Sequence, residues 1–277
     1  MSQRRGDKLN RTQRPGWAAR AGSSDWFLEL AGLLTMLAAF EVVPRLGLIS
    51  ERYLPPLSSV VGSLAELVGE QEFWFALGST LRGWGIGLTI AMVCGVLAGV
   101  VIGSTRPIRV LTASTIEFMR PIPSVALIPL AVLVYGTGIK SVLLLVVYAA
   151  FWQVLIQVLY GVQDVDPVAS DTARSYRLGR WGRIRYVTWP TALPYVMTGF
   201  RLAATVALIL AVTAELVIGA PGLGREISIA QSSGAVDQMY ALIIVIGLIG
   251  VLVNTLTRRL ERQVLAWHPS VRREAPV

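Results

Sequence analysis

The sequence is poor in the residues on which most soluble chemistry relies. It holds one cysteine, Cys94, and one histidine, His268, among 277 residues. A single cysteine excludes an intrachain disulfide, and its place inside an apolar run makes it a packing residue. A single histidine, beside Pro269 in a polar tail, excludes a histidine-rich metal site. Charged residues make up 15% of the chain, against about 25% in ordinary soluble domains. The sequence also lacks a Gly-x-x-x-x-Gly-Lys-Ser/Thr loop, whose backbone amides and lysine would cradle nucleotide phosphates.

What the chain has instead is apolar. Hydrophobic residues account for 54% of it, and the mean hydropathy is +0.60. They fall in blocks of roughly 18–25, the length at which a helix crosses the hydrocarbon core of a bilayer. Six spans are expected, at about 26–48, 83–103, 119–136, 139–161, 192–218 and 237–257. The fold class is therefore all-α, a polytopic membrane helical bundle. Pro121, Pro123 and Pro129 interrupt the third span. Such prolines are tolerated where neighbours re-satisfy the freed backbone groups, which places that span inside the bundle.

The net charge of +8 is unevenly distributed, which argues against a nucleic-acid surface. Arg4, Arg5, Lys8, Arg11, Arg14 and Arg20 precede the first span, and Arg258, Arg259, Arg262, Arg272 and Arg273 follow the last. Arg106 and Arg109 lie in the second–third connection; Arg174, Arg177, Arg180, Arg183 and Arg185 lie in the fourth–fifth. The other connections hold Arg45, Arg52, Lys140 and Arg225. By the positive-inside bias, both termini and the 164–190 stretch are cytoplasmic. The expected organisation is a mobile basic tail over 1–25, an uncleaved six-span domain over 26–260 and a C-terminal tail over 261–277. The location that follows is a membrane, crossed several times.

The stretch DVDPVASDTARSYRLGRWGRIRYVTWP (164–190) is more than a turn. Asp164 and Asp166 before Pro167 form a helix-start signal. Val168, Thr172 and Tyr176 then recur four apart, with Ala169 and Ala173 beside them, giving one small, apolar face. Periodicity alone fits a short helix lying on the bilayer surface equally well.

Order and spacing go further. Asp171, Thr172 and Ala173, then Arg177, Val187 and Trp189-Pro190, keep the spacing of the "EAA" loop: Glu-Ala-Ala, three residues, Gly, nine residues, Ile, one residue, Leu-Pro. RPIPSVALIPLAVLVYGTG (120–138), RYVTWPTALPYVMTGFRLAATVA (185–207) and AELVIGAPGLG (214–224) add further matches in consistent order. Over roughly residues 55–260 the chain resembles the membrane permease subunits of bacterial ABC importers, in their nitrate/taurine/sulfonate branch. Asp171 replaces the motif's glutamate and Arg177 its glycine. With Gly179 available to end the helix, the expectation is a slightly longer helix with Arg177 near its carbonyl ends.

The resemblance implies a coupling helix that docks on a separate cytoplasmic ATPase, with Asp171, Thr172, Ala173, Arg174, Tyr176, Arg177 and Gly179 as coupling residues. It further implies an outside substrate-binding protein and a second permease chain, most simply in a homodimer. No cofactor is expected on the chain itself, ATP being bound by the partner, and the chain is not expected to be an enzyme. Arg174, Arg180 and Arg183 read equally as contacts to acidic ATPase residues or anionic lipid and as solvated arginines. A bulky charge at Ala173 is expected to uncouple hydrolysis from transport.

Polar residues within spans are the other candidates, because burying them in lipid is costly. Glu215, Thr205, Thr213 and Gln153 are candidates for a gate or pathway. Glu215 reads equally as an interfacial glutamate reaching water, and Thr205, Thr213, Gln153, Gln157 and Asn254 as interhelical hydrogen-bonding groups. Glu41 reads as a snorkelling or packing residue, Arg201 as snorkelling, and Trp26, Trp84 and Trp189 as an interfacial belt. A secondary transporter or channel is the alternative reading, but it predicts paired broken spans in repeated halves, and no repeat is evident. The Asp-Thr-Ala-Arg run has a faint likeness to a phosphoalcohol transferase motif but lacks the converging aspartates that metal chemistry needs. The identity of the solute does not follow; a small anionic or polar molecule fits best, of sulfonate, taurine, nitrate or thiamine-precursor type.

Overall fold

The computed structural model describes residues 21–267, with side chains from Leu28 onward. The basic residues from Arg4 to Arg20, the Trp26 side chain, and His268, Arg272 and Arg273 lie outside that range. All regular structure among the described residues is helical, and the chain forms two compact units, one up to Val60 and the other from Val61 onward.

In the first unit α1 (Ala21–Arg45) carries Pro44 in its last turn. Glu41 accepts hydrogen bonds from the Ser58 backbone N–H (2.9 Å) and hydroxyl (3.0 Å), and pairs with Arg45 at 2.6 Å. Ser58 lies in the first turn of α2 (Leu57–Gly69), so this carboxylate occupies a helix N-terminus, where negative charge is favoured. Glu41 is a packing residue.

The second unit begins within α2 and continues with α3 (Gln71–Ser104), α4 (Arg106–Met119), a 3₁₀ turn (Ser124–Leu127), α5 (Ile128–Tyr135) and α6 (Ile139–Gln163). Then follow α7 (Pro167–Ser175), α8 (Arg180–Arg183), a π-helical turn (Ile184–Thr188), α9 (Trp189–Ile218), α10 (Leu223–Ser233) and α11 (Val236–Val264). Four helical runs among the described residues are long and apolar enough to cross a membrane: α3, α6, Arg180–Ile218 and α11. A fifth is present if α4 and Ser124–Tyr135, bent by 83° at their junction, count as one broken span.

That bend corrects the expected third span. Residues 119–136 form no single helix, because Pro121 and Pro123 end α4 and hold the chain extended (Pro123 ψ 121°) before a new helix starts. Carbonyls at the break and at the far end of α5 find donors on α6. The Tyr148 hydroxyl donates to the Met119 carbonyl at 2.7 Å, and the Ser141 hydroxyl to those of Ala131 and Gly136. Irregular backbone at membrane depth requires this kind of protein partner.

Close helix packing comes from small residues. On α3, Gly83, Gly87, Gly95, Gly99 and Gly103 lie four or eight apart; on α6, so do Val142, Val146, Val154, Val158 and Val162. A Cβ added at Gly95 would come within 2.8 Å of Val154, at Gly99 within 2.6 Å of Val158, and at Gly103 within 2.9 Å of Val162. The glycine column is thus a groove filled by a valine column, and dispersion across it holds α3 to α6, as small-residue interfaces do in membranes. α9 packs on α6 by the same means: a Cβ at Gly161 would lie 2.9 Å from the Ala192 Cα. Trp84 belongs to this interior and not to an interfacial belt; its indole N–H donates to the Ala204 carbonyl of α9 at 2.9 Å. Trp189 is 40% exposed, as a belt residue would be.

Candidate functional site

Two constellations lie at opposite ends of α3. One lies near Thr80, the other near Gly103, about 35 Å away along the helix.

The Gly103 end carries α7. Asp166 caps it, accepting from the Val168 N–H at 2.8 Å, and Pro167 takes the first position, where its missing N–H costs nothing. Two anchors hold this segment to the fifth apolar run. The Tyr195 hydroxyl donates to Asp164 at 2.7 Å, and α7 packs on the π-helical turn. That wide turn has a local cause: Pro190 offers no N–H, and the Trp189 N–H instead bonds five residues back, to Ile184.

The ending of α7 differs from the expectation. The helix stops at Ser175, Tyr176 is its cap, and Arg177 adopts φ +55°, a left-handed conformation. Arg177 N–H bonds the Arg174 carbonyl (2.8 Å) and Leu178 N–H the Ala173 carbonyl (3.0 Å), the paired bonds of a Schellman ending. Arginine therefore takes the glycine role itself, at a backbone cost of about 1–2 kcal/mol. Gly179 does not end α7; with φ −62° it caps the start of α8, and its carbonyl accepts the Arg183 N–H.

Ala173 also departs from its expected role, since at 4% exposure it is turned into the bundle. The exposed surface of α7 and its cap includes Val168, Ala169, Thr172 and Tyr176, with Tyr176 80% and Val168 71% exposed. Asp171 and Arg174 form a solvent-facing pair at 3.3 Å that contributes little to stability. Arg177 and Gly179 are exposed.

At the other end Glu215 does not reach water; it is 1% exposed. Its carboxylate accepts from the Thr80 hydroxyl of α3 (2.8 Å) and from the Gly224 N–H at the start of α10 (3.1 Å). Thr80 in turn accepts the Leu223 N–H at 2.9 Å. One carboxylate thus ties α3, α9 and the first turn of α10; it and Thr80 each satisfy one amide that a helix start leaves without an intrahelical partner. The turn is built around it. A Cβ at Gly222 (φ +156°) would overlap the Glu215 carboxylate, and one at Gly224 would overlap the Val212 carbonyl. Thr80 escaped the sequence reading, because nothing local links it to a residue 135 positions away.

The remaining candidates are separate from this cluster. Thr205 and Thr213 share a groove between α9 and α11 of about 300 Å³ with Leu208, Ile246 and Gly250, but their hydroxyls bond their own helix, at the Arg201 and Ile209 carbonyls. Gln153 and Gln157 are half-buried on α6, and Asn254 on α11. Arg201 does not snorkel alone; it pairs with Glu261 of α11 at 3.2 Å.

Residues 91–266 match the family described as binding-protein-dependent transport system inner membrane component. The chain belongs to this family. It is 32% identical over 249 residues to the taurine transport system permease protein TauC of Escherichia coli (strain K12), covering 88% of this chain and 90% of that one. It is 27% identical over 245 residues to the putative aliphatic sulfonates transport permease protein SsuC of Bacillus subtilis (strain 168), covering 88% and 89%. A solved structure described as an amino acid ABC transporter with histidines aligns at a TM-score of 0.61 and 21% identity, over 72% of this chain and 97% of that one; it shows the fold alone. The chain is thus a multi-pass ABC importer permease of the inner membrane.

Proposed function

We propose that this permease carries a small sulfonate-type or related oxyanion solute, delivered by an outside binding protein, and that α7 couples it to a separate ATPase. Two copies of the chain form the pathway, with both termini and α7 on the cytoplasmic side. α1 and the broken Arg106–Tyr135 segment complete six crossings, and ATP is bound by the partner, not by this chain. The carrying observation is the build of α7. It is a short helix capped at both ends, tied to the fifth apolar run through Tyr195 and the π-helical turn, and presents Val168, Ala169, Thr172 and Tyr176 outward. A segment held this way transmits force to the span behind it. The solute class is supported by the taurine and sulfonate permeases among the relatives.

The test is mild-detergent capture of the tagged chain from its native membrane, with partner stoichiometry read by mass spectrometry. One ATPase per permease chain is expected, and Thr172→Arg should lose that partner or its coupling while the chain stays in the membrane. Reproducible absence of an ATPase, with the chain active alone in liposomes, would make it a secondary transporter or channel. Because Ala173 is turned inward, a bulky charge there would disturb α7 itself and would not report on docking.

A further inference from the structure

Where α3 ends and α4 begins, Ser104, Thr105 and Arg106 face α7 and the Arg180–Thr188 run across a cavity of about 630 Å³. Four guanidinium groups line it, from Arg106, Arg174, Arg180 and Arg183, and no carboxylate does. Only Arg174 has an ion-pair partner among the described residues, the solvent-facing Asp171. The Nε of Arg183 is buried and has no hydrogen-bond partner. Four like charges around one half-enclosed space repel one another, and a buried, unpartnered guanidinium N–H is costly. Both features are relieved by one kind of occupant, a compact anion with several oxygens.

We propose that this cavity binds a phosphate-bearing anion. Arginine forks match phosphate oxygens in paired hydrogen bonds, and the Ser104 and Thr105 hydroxyls supply further donors. Two neighbours suit a cavity at headgroup depth. Trp181 and Tyr186, beside its arginines, are 74% and 66% exposed, as aromatic residues at a membrane–water boundary are. Basic pockets between spans bind phospholipid headgroups on such faces. Occupancy would tie the start of α4 to α7 and to the π-helical turn, bracing the segment read above as the lever. The site stands on its own geometry and does not depend on which solute is carried.

The full-length chain in nanodiscs of neutral phosphatidylcholine provides the test, with two probes: phosphatidylglycerol added to the bilayer and inorganic phosphate added to the buffer. The readouts are the unfolding midpoint and the lipid adducts retained in native mass spectrometry. Arg183→Gln and, from the opposite wall, the exposed Arg106→Gln should each weaken the effective probe about tenfold. Arg258→Gln on α11, away from the cavity, should leave it unchanged. A response to phosphatidylglycerol alone identifies the lipid headgroup as the source, and a response to phosphate alone identifies a soluble anion; either supports the site. The proposal is overturned if neither probe acts on the wild-type chain, or if the cavity variants respond as wild type does. It is equally overturned if neither probe acts and Arg183→Gln instead weakens capture of the ATPase in neutral lipid, because the arginines then serve an acidic protein surface.

Discussion

The two ends of α3 solve one problem, how to end a helix and turn the chain, in opposite ways. At the Thr80 end, α9 stops with Gly219 at φ +77°, and a buried carboxylate organises the turn that follows. At the Gly103 end, α7 stops with Arg177 at φ +55°, exposed to solvent. The difference lies in what surrounds each backbone. A side chain at Gly222 or Gly224 would enter the space of Glu215 and Val212, so glycine is required at both by crowding, and at Gly222 (φ +156°) by conformation as well. Nothing crowds Arg177, which bears only the conformational cost while its charge is added to the basic face. Glycine in a family motif thus reports two separate demands, and only the crowded one is absolute.

The sharpest break of this contrast is Gly224→Ala. Its methyl group meets backbone that cannot withdraw, so a loss of about 3 kcal/mol or more is expected, seen as a lowered unfolding midpoint and poor recovery from membranes. Glu215→Ala should follow at about 2 kcal/mol, because it leaves the Thr80 hydroxyl and the Gly224 N–H without their acceptor. Glu215→Gln keeps an acceptor oxygen and should lose about half as much. If Glu215→Ala and Thr80→Val act on one network, the double variant will lose less than the sum of the singles. Strict additivity would show that the two residues stabilise the turn independently.

At the exposed end the sign reverses. Arg177→Gly should stabilise the α7 ending by about 1 kcal/mol, by removing the left-handed penalty. Amide exchange at Arg177 and Leu178, whose N–H groups form the Schellman pair, should slow about fivefold. Unchanged or faster exchange would mean that the Arg177 side chain repays its own backbone cost through a contact in the assembled importer.

How much of this was legible depended on distance along the chain. The long apolar runs showed through composition, and the start of α7 through Asp166-Pro167, since both signals are local. The broken third span was half legible: Pro121, Pro123 and Pro129 marked the place, but the 83° bend and the Tyr148 hydroxyl of α6 that satisfies the Met119 carbonyl beside it are not local signals. The glycine column on α3 repeats plainly, yet its meaning needs the valine column on α6. Glu215 was singled out as a costly charge within a span, but its burial, against the reading of an interfacial residue reaching water, was not legible, because its partners come from α3 and α10. The inward turn of Ala173 was likewise invisible, since four-residue spacing identifies a face without saying which side of it meets the bundle.

The smallest expected effect concerns pH and tests whether carboxylates crowd one another at the start of α10. Glu226, half-buried one turn into α10, has its carboxyl raised above the ordinary value of 4.5, chiefly by burial and then by the Glu72 and Glu70 carboxylates, with Arg225 opposing. A raised carboxyl holds its proton in the folded state at a pH where the unfolded chain has lost it. Stability on this account is unaffected below the unfolded value, falls as pH rises from 4.5 through the folded value, and stays lower above it. Glu226→Gln should therefore raise the unfolding midpoint slightly at neutral pH, leave it unchanged at pH values below the window, and flatten the slope between. Glu72→Gln should act in the same direction and less strongly, since burial is the larger cause. A slope that persists in Glu226→Gln would assign the titration to another group at this end of the bundle.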